Sequence, residues 1–111
     1  MTLNELYTVL ASTGLPVAYN AFPEDSQEEE APELPVITYN VAYTNNFAAG
    51  DQVYKTIKHI DIHLYTKTKD EETEALLESA LNDAFLVWNY TEAFEDAEEC
   101  YHLIYEVEIY G

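Results

Sequence analysis

The chain contains no arginine, and its four lysines, Lys55, Lys58, Lys67 and Lys69, all lie in one short stretch. Nucleic-acid binding works by neutralising phosphates with clustered cations, so that class of function is not expected here. Anionic membrane surfaces are disfavoured on the same ground. Cysteine is as scarce: Cys100 alone can build neither an internal disulfide nor a multi-cysteine zinc site. Glycine occurs only at positions 14, 50 and 111, which leaves no Gly-rich phosphate loop and no nucleotide site of that kind. No apolar run approaches the roughly 20 residues of a membrane span. The opening MTLNELYTVL lacks the cationic start and long apolar run of a signal peptide. These absences together lead us to expect a soluble protein kept in a reducing cytoplasm or released with a particle.

Negative charge and tyrosine are abundant instead. Twenty-two acids set a net charge of −18, and ten tyrosines lift the aromatic share to 14%. An apolar content of 48% nevertheless marks a globular chain, and 111 residues fit a single domain spanning 1–111. The acids gather in three places, Glu24 to Glu33, Asp70 to Asp83 and Glu92 to Glu99. Such a surface suits a basic protein partner, or solubility through self-repulsion.

Thr2-Leu3-Asn4-Glu5 reads as a capping box opening a short helix with Leu3, Leu6, Tyr7 and Leu10 on one face. Gly14 and Pro16 end it, and Val17 to Phe22 reads as a short strand. Pro23 to Pro35 holds three prolines and six acids, which predicts a loop whose acidic part, 24–35, is mobile. Val36 to Asn45 alternates as a strand, with Ile37, Tyr39, Val41 and Tyr43 on one face and Thr38, Asn40 and Thr44 on the other. Asn46 to Asp51 is expected to turn. Val53 to Thr66 then predicts one strand on the order of 45 Å long, well beyond the ~13 Å radius of gyration of such a domain, so that part of it projects from the body. Asp70 caps a second helix with Leu76, Leu77, Ala80, Leu81 and Ala84 as its apolar stripe. Phe85 to Tyr90 reads as a strand and Glu92 to Glu99 as an acidic turn. Tyr101 to Tyr110 closes the chain as a strand with Leu103, Tyr105, Val107 and Ile109 on one face. The order α-β-β-β-α-β-β predicts an α+β fold: a mostly antiparallel sheet with two helices packed on one face. The second helix has the option of crossing between strands.

Candidate chemistry is sparse. His59, Asp61 and His63 alternate along a strand and point to one side about 7 Å apart, a donor set able to hold a divalent metal. The same register explains them as a polar face opposite Ile60, Ile62 and Leu64. Cys100 with His102 has the makings of a nucleophile and base, yet no oxyanion-hole motif accompanies the pair. Ser12, Ser26 and Ser79 lie in no nucleophile elbow. Rows of carboxylates can also imitate DNA phosphates in the cleft of a nucleic-acid enzyme. Ten tyrosines exceed the needs of a small core, and tyrosine is favoured at protein interfaces. We therefore expect no catalysis and no cofactor.

The segments Ala21-Phe22-Pro23, Leu34-Pro35-Val36-Ile37-Thr38-Tyr39, Asn46-Phe47-Ala48-Ala49-Gly50-Asp51 and Ile62-His63-Leu64-Tyr65-Thr66-Lys67-Thr68-Lys69-Asp70 resemble, in this order, small tail-component proteins of siphophages and prophages of Gram-positive bacteria. The ending Ile104-Tyr105-Glu106-Val107-Glu108-Ile109 fits the same pattern. The resemblance implies a tail-terminator or tail-completion protein, similar to the lambda-type terminator. Such a protein forms a hexameric ring on the tail tube, stops tube growth and receives the head–tail connector or stopper. It implies a homo-oligomer located in the virion tail, and in the host cytoplasm during assembly, with no catalytic residues. On this reading Glu28, Glu29, Glu30, Asn46, Phe47, Asp51 and Tyr54 are the expected contacts, and an acidic lumen lets DNA slide without sticking. Two other readings stay open: an acidic DNA-mimic inhibitor, and a small metal-dependent enzyme using His59, Asp61 and His63.

Overall fold

The computed structural model describes residues 1–21, 34–49, 52–96 and 100–110, and of 46–49 and 52–55 the backbone alone. The chain runs α1 (Leu3–Ala11), β1 (Val17–Tyr19), β2 (Val36–Ala49), β3 (Gln52–Thr66), α2 (Glu71–Asp83), β4 (Asn89–Glu95) and β5 (Cys100–Tyr110). This is the expected α+β order. Five strands form one sheet in the order β1-β2-β3-β5-β4. β1 lies parallel to β2 and every other neighbour is antiparallel. Because β5 inserts between β3 and β4, α2 does cross over the sheet, joining two strands that run the same way.

Local chemistry sets the helix ends. Thr2 Oγ1 accepts from Glu5 N while Glu5 Oε1 accepts from Thr2 N, both at 3.1 Å, completing the capping box. Asp70 caps α2 through Thr73 N and the Thr73 hydroxyl; these bonds hold its carboxyl below the usual carboxylate range. Lys69, next to the cap, bonds Glu92 on β4 and reaches Glu74 Oε2 at 2.8 Å, tying the helix start to the sheet edge. Both carboxylates raise the lysine pKa.

Leu6 and Leu10 of α1 and Leu77 and Leu81 of α2 meet Ile37, Tyr39, Ile60, Ile62, Leu64, Leu103, Tyr105, Val107 and Ile109 in one core. All these strand residues point to the same side, so both helices cover one face of the sheet. Among the described residues no helix lies on the other, the uncovered face, although Val36, Thr38 and Cys100 on it are buried. Truncating any of the four leucines would cost about 2–5 kcal/mol.

Several sequence expectations need correction. Tyr7 and Leu76 are exposed rather than core-facing; Thr73 and Glu74 take the buried positions on α2, where Lys69 accompanies the carboxylate. β1 stops at Tyr19, since Asn20 adopts a positive φ of 71° and turns the chain. Asn46 to Ala49 belong to β2, not to a turn, with Ala49 opposite Gln52. Phe85 to Trp88 do not form a strand, and β4 starts only at Asn89 and continues to Glu95, into the first part of the stretch read as an acidic turn. The cause is the way α2 ends. Leu86 N bonds Leu81 O and Phe85 N bonds Asn82 O, a Schellman cap with Phe85 at φ 60° where glycine is favoured.

Tyr43 is the last correction. Ala42 is an extra residue between the pairs Val41↔Ile60 and Tyr43↔His59, a bulge that moves Tyr43 from the core side to the uncovered face. There it is 57% exposed.

Candidate functional site

Two regions stand apart from the core: the far end of the β2–β3 hairpin, and the uncovered face of the sheet. β5 pairs with β3 only from Ile57 onward, so 52–56 and the facing end of β2 are paired with each other and extend past the third strand. The long strand expected from the sequence is therefore present, and it does overhang. A radius of gyration of 15.4 Å and a longest dimension of 50 Å accord with that overhang, against ~13 Å for a compact chain of this length.

Three of the seven expected contact residues fall in this region. Asn46 and Phe47 lie in β2 and Tyr54 in β3, all in the overhang. Asp51, Glu28, Glu29 and Glu30 lie outside the described residues.

On the uncovered face His59, Asp61 and His63 do share a side, but their side chains diverge. His59 stacks on Tyr43 with ring centroids 4.0 Å apart, and its nitrogens face Asn45 at 3.1 Å and Glu108 at 3.5 Å. His63 turns the other way. Its Nε2 donates to Asn40 Oδ1 at 2.9 Å, and its Nδ1 lies 2.7 Å from His102 Nε2. At that separation one proton sits between the rings, because two N–H groups aimed at each other would repel. Tyr65 stacks on His102, whose other nitrogen lies 3.3 Å from Glu95. Burial, and then the His102 charge, push the His63 pKa down. Among the described residues no three His, Cys, Asp or Glu side chains converge to hold a metal.

Between the histidines Asp61 stands directly opposite Glu106 on β5. Like charges opposed across a strand pair are destabilising, and Glu108 adds a third carboxylate on the same side, two residues along. Three carboxylates thus gather on this face, with His59 Nδ1 3.5 Å from Glu108.

The pairing of His63 with His102 is not apparent from the sequence, in which they lie 39 positions apart. The one signal was alternation on two strands, useful only once β3 and β5 are known to be neighbours. Cys100 is buried at the start of β5, opposite Glu95. No helix among the described residues is long and apolar enough to cross a membrane.

No protein-family model matches the chain, and no curated protein matches it.

Proposed function

We propose that the chain is a structural assembly protein that works by docking: a tail terminator or completion protein of a phage or prophage. As a homo-oligomeric ring it caps the tail tube and receives the head–tail connector. The observation that carries the reading is the β2–β3 overhang, in which two strands continue past the rest of the sheet and, among the described strands, pair only with each other. An isolated two-stranded ribbon is marginal in water, so a hairpin held out in this way gains its full stability when another surface packs on it. The opposed carboxylates Asp61 and Glu106 support the same use, since a basic partner surface would relieve their repulsion. The protein would act in the host cytoplasm during assembly and remain in the virion tail.

The test is assembly without the protein. Tails formed in its absence should show unregulated tube length and fail to join heads, and adding the purified chain should restore both. Tails of normal length joined to heads would sink the proposal.

The three carboxylates Asp61, Glu106 and Glu108 favour a second reading, a DNA mimic seated in a basic enzyme cleft. It would be preferred if the monomer inhibited a nuclease with an affinity lost in high salt.

A further inference from the structure

Among the described residues the sheet is open at both ends. β1 covers β2 only over Ile37–Tyr39, with the Tyr19 hydroxyl reaching Val41 N at 3.4 Å. Along 42–49 no described strand lies on the side of β2 away from β3. At the other end, among the described strands, β4 is paired with β5 on one side only, and it is exposed from Asn89 to Phe94. An unpaired strand edge presents a row of backbone donors and acceptors that another strand can satisfy.

Proteins ordinarily blunt such edges with charge, proline or bulges. β2 has the bulge at Ala42 but neither charge nor proline: residues 36–49 contain no Asp, Glu, Lys, Arg or Pro, in a chain whose net charge is −18. A neutral edge lets another strongly acidic subunit approach without like charge facing it.

Strand direction and length select the partner. Each neighbouring pair from β2 to β4 is antiparallel, so β4 runs opposite to β2. A second copy that continues the sheet with its strand directions kept would lay β4 antiparallel to β2. The seven residues of β4 are one short of the eight in the uncovered stretch 42–49, of which Ala42 is the bulge.

We propose that the uncovered edge of β2, residues 42–49, accepts β4 (Asn89–Glu95) of a second copy of this chain, so that the sheet continues from subunit to subunit. The two edges differ, which makes the contact heterologous and able to close into a ring. This rests on the ring reading above and adds where its subunits meet.

Asn45 and Thr91 are both exposed and lie on the uncovered face of the sheet, so cysteines there would approach each other across the junction. Full-length Asn45→Cys and Thr91→Cys subunits, mixed at high concentration in 1 M NaCl to screen their repulsion, are treated with a short bis-maleimide. Native Cys100 is buried and serves as the unmodified background. Cross-links between the two variants, with none in either variant alone, are the expected result. Thr44→Glu, which adds charge at the edge, should weaken self-association at least tenfold with an unchanged circular dichroism spectrum. Oligomers that form without a 45–91 link, or that link 45 to 45, overturn this inference and leave the ring reading standing. A chain that sediments as a monomer at every concentration and salt, alone and with tail tubes, overturns both.

Discussion

Tyr105, wholly buried in the middle of β5, donates its phenol proton to Glu78 Oε2 on α2 at 2.8 Å. Trp88 and Tyr90 pack on its ring with centroids 5.5 and 5.3 Å away. Burial first, and the Glu78 carboxylate second, push the phenol pKa far above its ordinary 10.0. The folded protein therefore keeps this proton where the unfolded chain would lose it. The associated stability is fully present below about pH 10 and falls as the pH rises above that value. Tyr105→Phe should cost about 1–2 kcal/mol at pH 7 by leaving Glu78 without its donor. It should also lose less stability than the parent between pH 9 and 11. Urea midpoints across that range measure both effects.

Phe85 should be better as glycine. It occupies the left-handed position of the α2 cap at φ 60°, and its ring is 93% exposed, so it bears the steric cost without packing in return. Phe85→Gly should raise stability by about 0.5–1 kcal/mol, read as a higher thermal midpoint. A lower midpoint would mean that the ring stabilises the free subunit. If the ring serves assembly, the same change should raise stability and weaken oligomers.

The imidazole pair sets an acid limit. The pKa of His63 is lowered in the fold, so its contribution is fully present above its unfolded value near 6.5 and drains away as pH falls through the folded one. Asn40, Asp61, Tyr65, Glu95 and His102 are the groups set around it. His102→Gln removes the charge that opposes protonation of His63. The His63 ring should then titrate closer to 6.5 by NMR, and the loss of stability between pH 7.5 and 5 should shrink relative to the parent.

Relieving the charge opposition on the uncovered face should also stabilise the isolated chain. Glu106→Gln removes the like charge facing Asp61 and should add about 0.2–1 kcal/mol. Attachment to a basic partner should weaken in parallel, the pattern of a site that trades stability for binding. Chemical denaturation and partner titration at matched salt would reveal whether the two effects move in opposite directions.

Much of this architecture is readable from residue patterns. Thr2 and Glu5, Asp70, the long unbroken run to Thr66, and the alternation Leu103, Tyr105, Val107, Ile109 are local signals, and each has a local physical cause. What is not readable depends on contacts distant along the chain or on departures from ideal geometry. Phe85 occupies a place where glycine is the usual marker, so the end of α2 passes for the beginning of a strand. Leu76 satisfies the helical period as well as Leu77 does, and only the placement of the sheet decides which of them is covered. The partnership of His63 with His102 needs the order of the strands, and strand order is not a property of either segment alone.

The single extra residue at Ala42 has a last consequence. Up to Val41, odd-numbered side chains of β2 enter the core; Tyr43 and Asn45, after the bulge, point away from it. The outlying part of the hairpin is thus decoupled from the parity that the interior demands. Removing Ala42 would set Tyr43 directly after Val41 and still opposite His59, so the pairing of the hairpin would be kept while the local bend and added twist of the bulge were lost. A one-codon deletion would in this way change the angle at which the hairpin leaves the body while keeping the strand partners it has.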